Sequence, residues 1–81
     1  MPGWSFDIQE DGGTLKRVMV NLPDEAAARL KALQTVAGSE LAKVQVADGA
    51  LKAFGLKPGQ AKVFSPQHPT GRRYRLRRYR A

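Results

Sequence analysis

The chain predicts a small α+β domain, mostly helical and built as a homodimer, and three observations carry that expectation. Arg17-Val18-Met19-Val20-Asn21-Leu22 alternates and then stops at Pro23-Asp24-Glu25, so a strand runs into a helix within two residues. An Ala- and Leu-rich segment follows as far as Ala37. A second helix-like segment, from Glu40 to Phe54, is apolar over more of its circumference than one partner helix can cover.

At the N-terminus, Trp4, Phe6 and Ile8 alternate with Ser5, Asp7 and Gln9, and Glu10-Asp11-Gly12-Gly13 supplies a favoured hairpin turn. Residues 1–13 are therefore either a strand returning through Thr14 to Leu22, or an arm whose Trp4 and Phe6 rest on the body. The main strand places Val18, Val20 and Leu22 on one face and Arg17, Met19 and Asn21 on the other. Pro23 ends the ladder but suits a first helical turn, where Asp24 and Glu25 meet the positive end of the helix dipole.

Helix one is expected from Asp24 to Ala37, with Ala26, Leu30, Leu33 and Ala37 as its apolar stripe and Gly38 as its stop. Ser39 is the expected N-cap of helix two, which carries Leu41, Val44, Ala47, Leu51 and Phe54 beside a second stripe of Val46, Ala50 and Ala53. Gly49 costs about 1 kcal/mol in a helix interior relative to Ala. It is either a close-approach point for another helix or an uncompensated weak point. Gly55 fits a left-handed cap with Leu56 reaching back to Leu51, and Lys57-Pro58-Gly59-Gln60 closes the helical unit. Ala61 to Phe64 is a candidate short strand, followed by a loop and by an alternating Arg73 to Arg77 segment that could close a C-terminal hairpin.

An 81-residue chain buries little of its surface and gains from a second subunit. It has no cysteine, so disulfides and thiolate metal sites are excluded. No apolar run approaches the roughly 20 residues of a membrane-spanning helix, and the N-terminus lacks a signal-peptide pattern. A cytoplasmic location is the default. Charge divides the chain sharply. Residues 1–56 hold six cations against seven acids, a net −1, whereas 57–81 hold eight cations and no acid, a net +8. Such one-sided basicity marks a polyanion binder.

The strand and its Pro-Asp-Glu exit, Leu30 and Leu33, Gly38-Ser39 and Val46-Ala47-Asp48-Gly49-Ala50-Leu51 resemble the ribbon-helix-helix DNA-binding family of MetJ, Arc and CopG type, over about residues 16–55. The resemblance implies a homodimer in which each chain gives one strand to a ribbon that enters the major groove. It makes Arg17, Met19 and Asn21 the base-contacting residues. Arginine suits guanine, asparagine suits adenine, and methionine offers apolar contact. Lys16 and Ser39 would touch phosphate, joined by Arg72, Arg73, Arg75, Arg77, Arg78 and Arg80 of the tail. Val18, Val20, Leu22, Val46, Ala50, Leu51 and Phe54 would form the dimer core. The segment from Gly38 to Val46 is about two residues longer than that pattern, and the Arg-rich tail is an addition to it.

The organisation expected is thus an arm or strand at 1–13, a ribbon-helix-helix domain at 14–56 and a basic extension at 57–81. The expected function is a sequence-specific DNA-binding repressor, with a toxin or other protein as a further partner. The alternative is a monomeric α+β module that binds RNA or an acidic protein through its basic end, as a phage inhibitor or ribonucleoprotein subunit would. The two part at the Thr14–Leu22 strand, which pairs with its symmetry mate in the first case and with Trp4–Ile8 in the second. His68 has no carboxylate or cysteine near it in sequence, and Ser39 and Ser65 have no base partner. No enzyme, cofactor or metal is expected.

Overall fold

A computed structural model describes residues 2–65. Six elements follow in chain order: β1 (Gly3–Gln9), β2 (Leu15–Val20), α1 (Glu25–Thr35), β3 (Ser39–Val46), α2 (Asp48–Ala53) and β4 (Ala61–Phe64). The strands form one antiparallel sheet in the order β3-β1-β2-β4. Strand makes up 39% and helix 27% of the described residues, which overturns the mostly helical expectation.

The hairpin reading of the N-terminus is the one realised. Glu10 N–H donates to the Thr14 carbonyl and Gly13 N–H to the Glu10 carbonyl, both at 2.8 Å. Gly13 takes a φ of 91°, which a side chain would resist. The turn sets a register that pairs Trp4 with Val20, Phe6 with Val18 and Asp7 with Arg17.

Phe6, Ile8, Val18 and Val20 point to one face of the sheet and are fully buried beneath Ala28 and Ala32 of α1 and its C-cap Val36. Alanine at the contact positions lets the helix backbone approach the sheet closely. Asp24 caps α1, its carboxylate accepting from Ala27 N–H at 2.9 Å. The Trp4 indole N–H donates to the Pro23 carbonyl at 2.9 Å and ties the start of β1 to the entry of α1.

Ribbon-helix-helix architecture is excluded by the pairing of β2. Its edges are taken by β1 and β4 of the same chain, so no edge remains for a symmetry-mate ribbon. The long second helix is also absent. Ser39 does not cap a helix but opens β3 opposite Gln9, and Ser39 to Val46 pairs along the far side of β1. The physical reason is that β1, buried on one face and unpaired on one edge, needs backbone partners that a helix cannot supply. Ala42-Lys43-Val44-Gln45-Val46 has the period of two that a strand requires. Leu41 is the extra residue of a bulge where Asp7 pairs with Ala42 and Ile8 with Glu40.

Only Asp48–Ala53 remains helical. α2 lies on the sheet face opposite α1, where Leu51 and Leu56 join Met19 and Val46 in a second small core. The residues expected to form a dimer interface are therefore divided between intramolecular cores. Val18 and Val20 lie under α1 with Leu22 packed beside them, and Val46 and Leu51 lie at α2 with Ala50 alongside. Phe54 is the C-cap of α2, and its cap has the expected form. Leu56 N–H donates to the Leu51 carbonyl at 2.9 Å, Gly55 N–H to the Lys52 carbonyl at 3.0 Å, and Gly55 has a φ of 73°.

Two glycines mark opposite situations. A Cβ on Gly3 would lie 2.3 Å from the Val20 carbonyl oxygen, in the middle of the sheet, whereas nothing lies within 4 Å of one on Gly49. Gly3→Ala should therefore lower stability by roughly 1–3 kcal/mol through forced backbone movement. Gly49→Ala, at a negative φ in the first turn of α2, should raise it by about 0.5–1 kcal/mol. Urea unfolding followed by circular dichroism reads both, and equal effects of one sign would contradict the packing.

Candidate functional site

The sheet face opposite α1 is only partly covered. Strand register arranges its side chains in two rows that cross all four strands. One row runs Val44, Ser5, Met19, Lys62 and the other Ala42, Asp7, Arg17, Phe64. α2 closes one end of this face, so that Met19 and Ser5 are buried while Ala42, Val44, Arg17 and Lys62 stay exposed. A shallow cavity of about 270 Å³ lies between the rows, with Met19, Ala42 and Val44 as apolar wall and Asp7 and Arg17 at its polar side.

Aromatic and cationic groups meet at the β4 side of this face. The Phe54 and Phe64 rings pack edge to face with centroids 5.1 Å apart. Lys62 Nζ sits 5.9 Å above the centre of the Phe64 ring. Phe54 and Lys62 are exposed and Phe64 is half-buried. The C-terminal side of β4 thus presents ring surface, ammonium and guanidinium groups on one face.

The three expected base-contacting residues do not form a set. Arg17 is on the exposed face, but its guanidinium donates to both carboxylate oxygens of Asp7, at 2.7 and 3.2 Å. Met19 is buried beneath α2. Asn21 is a structural tie. Its backbone bonds Gly59 and Gln60, and its side-chain amide donates to the Leu56 carbonyl at 2.9 Å, pinning the loop between α2 and β4. Of the expected phosphate contacts, Lys16 lies 4.0 Å from Glu10 and Ser39 lies at the start of β3, far along the sheet from Lys62. The six tail arginines, 72 to 80, and the possible hairpin there lie outside the described residues, as does His68. Lys62 and Phe64 did not figure among the expected site residues, and Phe54 was expected only in the dimer core. The period of two in Ala61 to Phe64 was the available signal, since it places Lys62 and Phe64 on one face.

Beneath the sheet's other face, charge is neutralised locally. Arg29 bridges Glu25 and Glu40, and Lys43 Nζ bonds Glu25. Hydrogen bonds from Lys43 and then Arg29 hold the Glu25 carboxyl below its ordinary value of 4.5. Among the described residues, no group of three His, Cys, Asp or Glu side chains is placed to hold a metal ion, and no helix is long and apolar enough to cross a membrane.

Two outcomes follow for stability. Asn21→Ala should destabilise the fold by about 1–2 kcal/mol, because it leaves the half-buried Leu56 carbonyl without its donor. Because the folded-state pKa of Glu25 is depressed, its contribution is present above pH 4.5 and is lost as pH falls through the lower folded value. Glu25→Gln should therefore reduce the drop in urea midpoint between pH 6 and pH 3, with pH values chosen to bracket about 4.5. An unchanged drop would mean that the ion network does not outlast solvent screening.

Comparisons with protein-family models, with curated proteins and with solved structures return no match to this chain.

Proposed function

We propose that the chain is a non-enzymatic, cytoplasmic module that binds single-stranded RNA, using the exposed sheet face together with the basic C-terminal segment. The observation that carries this reading is the position of β4. It places Lys62 and Phe64 on the exposed face beside Arg17. It also leads directly into a segment with six arginines, two tyrosines and no acid between residues 65 and 81.

Chemistry favours an unpaired strand over a duplex. β2 is an inner strand of a four-stranded sheet, so it cannot protrude into a major groove as a two-stranded ribbon does. A sheet face with ring surface suits splayed bases, which stack on aromatic side chains and spread guanidinium planes. Phe64 and the exposed part of Phe54 offer that surface, and Lys62 and the tail arginines offer phosphate contacts. The pairing of Thr14–Leu22 with Trp4–Ile8 supports the same reading, because it is the arrangement expected of an α+β module acting through its basic end.

The test is a salt titration of binding to single-stranded RNA, single-stranded DNA and duplex DNA of mixed sequence. Binding to RNA should be tightest, and its logarithm should fall with the logarithm of salt by about 0.7 per phosphate contacted. Lys62→Glu and Phe64→Ala should each weaken RNA binding several-fold with little effect on duplex binding, and a chain ending at residue 65 should lose affinity for all three. Tightest binding to duplex DNA, or indifference to both β4 substitutions, would overturn the proposal.

A further inference from the structure

The two edges of the sheet are built differently. β4 is four residues long and carries Lys62, so it is short and charged, as protected edges are. β3 is eight residues long, contains no proline, and exposes every side chain from Leu41 to Gln45. Val44 is 62% and Leu41 57% exposed, which with Leu30 makes them the three most exposed large apolar residues among the described residues. The charges that would guard this edge, Glu40 and Lys43, are turned onto α1 and tied to Arg29 and Glu25.

We propose that the β3 edge is an interface for a second copy of this chain, joined strand to strand in antiparallel fashion with Val44 on the two-fold axis. Three features select a second copy as the occupant. The first is register. Val44 on the axis sets Lys43 opposite Gln45 of the other protomer and Ala42 opposite its Val46, whereas a shift that pairs Ala42 with Val44 sets Lys43 against Lys43. The second is continuity. Val44, Ser5 and Met19 already form one row across β3, β1 and β2, and the axis extends that row unbroken into its mirror sequence in the second protomer. The third is charge. The chain carries +7 overall, yet Glu25, Arg29, Glu40 and Lys43 around this edge sum to zero. Two like-charged chains approach most easily where each is locally neutral.

The product is one eight-stranded sheet with both exposed faces on the same side and the two β4 strands at its outer ends. Homodimerisation was expected from the sequence through the β2 ribbon and an apolar second helix. Here it uses a different strand and buries none of Val18, Val20 or Leu51.

The chain contains no cysteine, so a single introduced thiol reports the interface directly. Full-length protein, freed of nucleic acid by nuclease and high salt, is examined by sedimentation at about 100 μM, a concentration suited to a small interface. The wild type should sediment as a dimer, and Val44→Lys should weaken association at least tenfold with an unchanged circular dichroism spectrum. Val44→Cys should oxidise to a covalent dimer much faster than Val63→Cys on the opposite edge, because opposed residues at a strand axis fall within disulfide reach. A monomeric wild type, or equal crosslinking at 44 and 63, would overturn the proposal, as would a dimer unaffected by Val44→Lys. RNA binding by the Val44→Lys monomer, measured separately, keeps this result distinct from the fate of the RNA reading.

Discussion

The fold depends on β1 being hydrogen-bonded along both of its edges. Phe6 and Ile8 are fully buried, so the backbone that carries them is sheltered on one face and cannot rely on water for its polar groups. β2 supplies partners on one side through a short hairpin, and β3 supplies them on the other after the chain has crossed over α1. The return is geometrically tight. A Cβ on Gly38 would lie 2.2 Å from the Gln9 carbonyl oxygen, so only glycine lets the chain slip past the end of β1 into β3. Once β3 is committed to β1, the residues left for α2 are too few to make a long helix. The second core shrinks to the small group around Leu51 and Leu56.

That arrangement also decides what the exposed face can do. α1 covers the Phe6, Ile8, Val18 and Val20 centre of one face, and α2 reaches only one end of the other. On the remaining surface the side chains are ordered in rows by strand register. Arg17 is held against Asp7 in such a row, so its guanidinium plane has a defined orientation beside Phe64. A fixed guanidinium next to an aromatic ring loses less conformational entropy on contact with a base than a free surface arginine would.

Much of this was legible from local pattern. Alternation located β1, β2 and β4; the Pro-Asp-Glu entry and the Ala- and Leu-rich composition located α1, although its buried face is Ala28, Ala32 and Val36 and not the expected stripe of Ala26, Leu30, Leu33 and Ala37; and Gly55-Leu56 located the end of α2. Asp7 and Arg17 lie equally far from Gly12, so the hairpin itself foretold their pairing once it was chosen over the arm. β3 was not legible, because Glu40-Leu41-Ala42-Lys43 favours a helix locally while Val44-Gln45-Val46 favours a strand. Leu41 and Val44 also fall three apart, which mimics a helical stripe, although one of them occupies a bulge. What settles the conflict is the unpaired edge of β1, far earlier in the chain. The roles of Met19 and Asn21 were hidden for the same reason, since their partners Leu51 and Leu56 meet them only through the assembled sheet.

The division of charge acquires a physical meaning from the folded chain. Five of the six cations before residue 57 face an acid: Lys16 with Glu10, Arg17 with Asp7, Arg29 with Glu25 and Glu40, Lys43 with Glu25, and Lys52 with Asp48. These pairs are partly exposed and each adds little to stability, but together they cancel the field of the residues before Lys57 at a distance. The potential that a distant polyanion meets therefore arises from Lys57 onward. Salt should then act very unequally on the molecule. It screens pairs that contribute little to the fold, while it removes the counterion-release advantage on which binding to a nucleic acid depends. A domain organised in this way can release its ligand with rising ionic strength while β1 keeps both of its neighbours.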